Sequence, residues 1–166
     1  MKILVVGLAC SGKSTFAKIL SEKTNLPVFH MDLIIWQRSW VKTPVEKFYL
    51  EQNNILTKEN WIYEGFNLPS LMQQVQAADK IIYLRKSHLR ITANYFKRLR
   101  KYRHIARPDM PKGNIEYLSL SYIKWLWKYD NKEVINEIRR YSEQKPLYIL
   151  SSKREYQEVI NIFANS

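Results

Sequence analysis

The chain has 166 residues, 46% hydrophobic and 25% charged, a composition that suits one folded domain with a sizeable core. Its 27 Lys and Arg against 15 Asp and Glu leave a net charge of +12, which points to an anionic partner, either nucleotide phosphates or nucleic acid. No apolar run approaches the roughly 20 residues of a membrane span, and the single cysteine, Cys10, excludes an internal disulfide and fits a reducing cytoplasm.

Lys2 to Val6 reads as a buried β-branched strand. Gly7-Leu8-Ala9-Cys10-Ser11-Gly12-Lys13-Ser14 follows as G-x-x-x-x-G-K-S, and a helix to about Lys23 comes next. Strand, glycine loop and helix form the context that a phosphate-binding P-loop requires. Gly7 and Gly12 let the backbone turn tightly and approach a phosphate. Successive N–H groups around Ser11 and the helix N-terminus attract anionic oxygens. Lys13 is expected to reach the β- and γ-phosphates of ATP, the Ser14 hydroxyl to ligate Mg²⁺, and Thr15 to sit near the α-phosphate.

Val28 to Met31 reads as a second strand ending at Asp32, and Leu33 to Trp40 shows no clear period. Pro44 opens a helix running to about Lys58, with Phe48, Leu50, Ile55 and Leu56 in its apolar share. Asn60 to Glu64 is a third strand, Pro69 to Ala77 a short helix and Lys80 to Leu84 a fourth strand. A long basic helix spans Ser87 to Tyr102. Arg103 to Asn114, with Pro108, Pro111 and Gly113, is a loop. Tyr117 to Tyr141 reads as one helix, Pro146 to Leu150 as the fifth strand, and Lys153 to Phe163 as a closing helix. Strands alternating with helices predict an α/β fold, a parallel sheet covered on both faces with right-handed crossovers.

Ligands of such a sheet sit beyond the carboxyl ends of its strands. That places Asp32, Glu64, Arg85 and the Ser151–Arg154 stretch near the P-loop. Asp32 is expected to hold Mg²⁺ or to orient and deprotonate an acceptor hydroxyl, with a helix cap as the plainer reading. Glu64 is expected to be the second acid near the metal, with a solvated strand end as the plainer reading. His30, without spaced partners for a metal, reads as a hydrogen-bonded structural histidine. Trp36 and Trp40 suit an acceptor pocket or the core, and Trp125 and Trp127 suit helical packing. Lys97, Arg98, Arg100, Lys101, Arg103 and Arg107 crowd into eleven positions. Arg98, Arg103 and Arg107 read as lid residues that close on the transferred phosphoryl group. The other reading of that density is a phosphate-backbone contact surface for nucleic acid.

These stretches together resemble the topology modulation proteins, a bacterial group within the adenylate-kinase-like P-loop kinases. The likeness is carried by Gly7–Ser14, His30-Met31-Asp32 to Trp36, Trp61–Gly65, Arg98–Arg107 with Arg107-Pro108-Asp109-Met110, and Trp125-Leu126-Trp127. It implies a nucleoside-monophosphate-kinase fold, a five-stranded parallel sheet in the order 2-3-1-4-5 with an arginine-rich lid over about 98–116. It also implies ATP and Mg²⁺ at Gly12, Lys13, Ser14 and Thr15, an acceptor side over about 33–58, and adenine contacts after the last strand at Lys153 and Arg154, all within one domain spanning 1–166. Phe66-Asn67-Leu68-Pro69 stands where adenylate kinases often carry a phosphate-gripping arginine. The functional expectation is an ATP-dependent kinase acting on a nucleotide or another small hydroxyl compound. A nucleotide-gated DNA-binding regulator and an NTPase without acceptor are the alternatives.

Overall fold

The computed structural model describes residues 1–164; the last two residues of the expected domain lie outside the described residues. Five parallel strands pair in the order β2-β3-β1-β4-β5: β1 (Lys2–Val6), β2 (Val28–His30), β3 (Trp61–Glu64), β4 (Lys80–Leu84) and β5 (Leu147–Leu150). The helices are α1 (Lys13–Thr24), α2 (Met31–Ile35), α3 (Val45–Leu56), α4 (Leu68–Ala77), α5 (His88–Lys101), α6 (Leu120–Leu126), α7 (Asn131–Ser142) and α8 (Lys153–Ala164), with a 3-10 turn at Arg38–Trp40. None is long and apolar enough to cross a membrane.

The strand pleat sorts the core into two layers. Leu4, Val6, Trp61, Tyr63, Ile81 and Tyr83 face one side and pack with Phe48 and Ile55 of α3, Leu71 of α4, Ile91 and Tyr95 of α5 and Ile138 of α7. Ile3, Val5, Ile62, Ile82 and Leu84 face the other and pack with Phe16 and Leu20 of α1 and Val159, Ile160 and Phe163 of α8. A central strand buried on both faces explains why Ile3 to Val6 carry no polar alternation.

Three expectations change. The second strand stops at His30, and Met31 begins α2, so Asp32 lies in the first turn of a helix, where its charge suits the positive helix end. Leu50 is exposed on α3 while Phe48, Ile55 and Leu56 are buried. The single helix expected over Tyr117–Tyr141 is two helices. Asp130 caps α7 by accepting from Lys132 N, and the Glu133 side chain returns to the Asp130 N–H, a capping box that starts a new helix.

Candidate active site

The P-loop leaves β1 and enters α1. Gly7 has φ 155°, and a Cβ there would stand 2.7 Å from the Leu84 carbonyl oxygen of β4. Gly12, the residue before α1, has φ 98° and would meet nothing within 4 Å. One glycine therefore answers to crowding and the other to backbone conformation. No side chain caps α1 at Gly12, so its first N–H groups remain available to an anion. Ser11 Oγ is buried with no hydrogen-bond partner, an unpaired polar atom inside the glycine loop. Lys13 Nζ donates to the Leu8 carbonyl at 3.1 Å and lies 4.0 Å from Glu64 Oε1.

At the mouth of this loop several elements meet. Ser14 Oγ donates to Asp109 Oδ2 at 2.7 Å and lies 3.2 Å from Glu64 Oε2. His30 Nδ1 lies 2.9 Å from the same Glu64 oxygen. Pairing of His30 with Glu64 across β2 and β3 brings the two side chains together at the ends of neighbouring strands. His30, Glu64 and Asp109 each offer one ligand atom, and these atoms lie within 4.8 Å of one another. With the Ser14 hydroxyl the set is rich in oxygen, which fits a hard cation such as Mg²⁺. Burial works against a charged His30, but the bonded Glu64 carboxylate, with Asp109 and Asp32 beyond it, raises its pKa overall. Burial also pushes Asp109 upward, yet Arg107 and the Ser14 hydroxyl hold it below the usual carboxylate range.

Asp32 stands beside this group and pairs with Arg107, NH2 to Oδ2 at 3.2 Å. Desolvation raises its pKa against the pull of Arg107. Arg107 also lies 3.2 Å from Asp109 through NH1 and 3.0 Å from Glu116 through Nε. Arg98 of α5 meets the same Glu116 at 3.2 Å, and its guanidinium lies 5.4 Å from the ring centres of Tyr95 and Tyr122. Asn94 of α5 donates to the Cys10 carbonyl of the P-loop at 2.9 Å. Cys10 itself adopts φ 61°, and burial raises its thiol pKa.

The loop after α5 has no helix or strand of its own beyond an isolated bridge between Ala106 and Ile115. It is tied to the segment after α2. Asn114, fully buried, accepts from Trp40 N at 3.0 Å and donates to the Gln37 carbonyl at 2.9 Å, while Trp40 Nε1 donates to the Ile115 carbonyl.

No protein-family model matches the chain, and no curated protein matches it in sequence. Solved structures do match along its whole length. Deoxyadenosine kinase from M. mycoides, solved with its products dCMP and dCDP, has a TM-score of 0.57 at 18% identity, covering 100% of each chain. Shikimate kinase from Acinetobacter baumannii in complex with shikimate has a TM-score of 0.57 at 13% identity, covering 98% of this chain and 92% of the other. A gluconokinase from Sinorhizobium meliloti has a TM-score of 0.56 at 12% identity over 99% and 93%. The fold is that of the P-loop kinases.

Within this P-loop kinase fold, Lys13, Ser14, Asp32, Glu64, Arg98 and Arg107 converge at one place. Arg103 does not. It is exposed beyond the end of α5 and lines an open groove with Leu99, Arg100, Glu116, Tyr117 and Leu118, bordering the site only through that glutamate's contacts. Lys153 lies in a separate open hollow with Arg85, Lys86, Arg90 and Ser151, and Arg154 is exposed and paired with Glu158 at 2.8 Å. Lys97, Arg100 and Lys101 remain on the surface, so Arg98 is the member of the basic helix turned towards the P-loop. Trp125 and Trp127 keep 40% and 51% of their surface open, Trp127 stacking on His88 and Trp125 on Tyr122. Asp109 and Glu116 have no role that the sequence pattern assigns: Asp109 falls inside the Arg-Pro-Asp-Met run, and Glu116 carries no local signal.

Proposed function

We propose that the protein is an ATP-dependent phosphotransferase that moves the γ-phosphoryl group to a hydroxyl of a small acceptor, a nucleotide or another hydroxylated compound. The reading keeps the likeness to the topology modulation proteins as its family assignment. The observation that supports it most is the meeting at Ser14 of the P-loop, the strand-end acid Glu64 and the loop acid Asp109, with Arg107 alongside.

The P-loop amides, Ser11 and Lys13 bind the triphosphate. Lys13 exchanges the Leu8 carbonyl for phosphate oxygens as they arrive. Ser14, Glu64 and Asp109 would hold Mg²⁺, which when bound neutralises charge on the β- and γ-phosphates. His30 donates to Glu64 and fixes its orientation. Arg98 and Arg107 stabilise charge on the phosphoryl group in transit. Asp32 accepts the acceptor's proton; the rise in its pKa that burial causes makes its carboxylate a better base than an ordinary aspartate. The hollow at Arg85, Arg90 and Lys153 takes the base end of the nucleotide.

The test is ATP turnover against nucleosides, nucleoside monophosphates and small hydroxylated metabolites, with Lys13→Ala as control. An acceptor-dependent rate that falls at least about 100-fold in the folded variant supports the reading. Turnover unchanged by Lys13→Ala overturns it.

A further inference from the structure

Glu116 sits on the return limb of the loop, next to the antiparallel Ala106–Ile115 bridge and diagonally across it from Arg107. Its side chain is 4% exposed, among the most buried charges of the protein. Oε1 lies 3.2 Å from Arg98 Nε and 3.0 Å from Arg107 Nε, and Oε2 accepts from Arg98 NH2 at 3.2 Å. One carboxylate therefore joins an arginine from a rigid helix to an arginine from a loop without regular structure. Asp109, paired with Arg107, accepts from Ser14 Oγ of the P-loop, and Asn94, on the same helix as Arg98, donates to the Cys10 carbonyl, so the joined pair borders the phosphate loop.

The division of each guanidinium matters. Glu116 Oε1 stands against the Nε edge of Arg107 as a close charge contact without an aligned hydrogen bond, and the terminal nitrogens turn to Asp32 and Asp109. An incoming phosphate can replace those two carboxylates while the Nε contact stays intact. Arg98 is fixed further by the Tyr95 and Tyr122 rings. Without Glu116 the two like charges repel, and Arg107 regains the rotamer freedom of a long side chain.

We propose that Glu116 is a positioning residue that locks Arg98 and Arg107 into one unit held for the γ-phosphate of a bound nucleoside triphosphate. The proposal rests on the phosphotransferase reading above. Glu116 touches neither reactant. It acts through the two arginines, whose preorganisation saves reorientation when the phosphate arrives.

The test is calorimetric titration of the full chain, in Mg²⁺, with ADP and with the non-hydrolysable β,γ-imido analogue of ATP. Wild type and Glu116→Gln are compared, with thermal unfolding in parallel. Wild type is expected to prefer the triphosphate by about tenfold, the scale of one charged hydrogen bond. Glu116→Gln is expected to keep its ADP affinity and lose most of that preference. A merely structural glutamate would weaken both affinities and leave their ratio, and a preserved ratio overturns the proposal. If wild type binds neither nucleotide, the phosphotransferase reading is what fails, and the proposal with it. Should Glu116→Gln not fold, Glu116→Asp carries the same test: a shorter carboxylate that cannot span both arginines should reduce the ratio, and an unchanged ratio overturns the proposal.

Discussion

The Gly7–Ser14 loop and the loop joining α5 to α6 meet at Ser14, and they hold their shapes by different means. The first is a short turn between a buried strand and a helix, fixed by glycine conformation and by packing against β4. The second has one isolated bridge, and its inner limbs are held by charge: Arg107 faces Asp32, Asp109 and Glu116, and Glu116 also faces Arg98. Backbone geometry gives a rigid cradle whose cost is local. A network of buried charges gives a cover whose parts depend on one another and can exchange partners when an anion enters.

If charge holds the second loop, Arg107→Ala should have the largest effect. It leaves three carboxylates facing one another, two of them buried, at a cost of roughly 3 kcal/mol in urea unfolding. A loss below about 1 kcal/mol would show that packing, and not charge, holds the loop. Next in size is Gly7→Ala, where the new Cβ strikes the Leu84 carbonyl. It should cost about 2 kcal/mol, against about 1 kcal/mol for Gly12→Ala, which meets open space and pays only for its φ. Equal losses at the two glycines would remove the distinction between crowding and conformation.

Asn114→Ala strands the Trp40 N–H and the Gln37 carbonyl. It should cost roughly 1 to 2 kcal/mol and open the 102–119 loop to limited proteolysis, while cleavage elsewhere stays at the wild-type rate. The smallest effect is in pH. His30 is raised above its ordinary 6.5 in the folded protein, so its contribution is complete below that value and fades as pH rises through the raised one. With chelator present, melting temperature over roughly pH 6 to 8.5 should fall more steeply in wild type than in His30→Gln. Parallel curves would separate His30 from Glu64 energetically.

The contrast also governs what the amino-acid order discloses. The P-loop is legible because its strand, glycines, lysine and helix are contiguous and each obeys a local rule. The five strands and their covering helices follow for the same reason. The break between α6 and α7 was available in Asp130-Asn131-Lys132-Glu133, a capping box, but the aromatic run before it reads as continuous helix. Asp32 reads as a strand end because Val28-Phe29-His30-Met31 is a short, mostly apolar run with no turn signal, a pattern that cannot distinguish a final strand residue from a first helical one. Glu116 was illegible for a deeper reason. Its meaning lies in Arg98, 18 positions away, and in a loop closure that no periodicity announces. Arg103 is equivalent to Arg98 and Arg107 by composition; it is exposed just past the end of α5 at Lys101, whereas the loop carries Arg107 back to Asp32, Asp109 and Glu116.

The joint between Trp40 and the loop has an optical consequence. The Trp40 indole donates to the Ile115 carbonyl, its ring centre lies 6.3 Å from that of Tyr117 at an interplanar angle of 87°, and it meets Trp36 edge-on at 5.7 Å. Any departure of the loop breaks the indole's hydrogen bond and changes the polarity around its ring. In a variant that keeps Trp40 and replaces the other four tryptophans by phenylalanine, emission wavelength and intensity become a label-free record of that departure. If nucleotide binds as proposed, rapid mixing would then show whether the loop moves with it, and how fast, in the unmodified backbone.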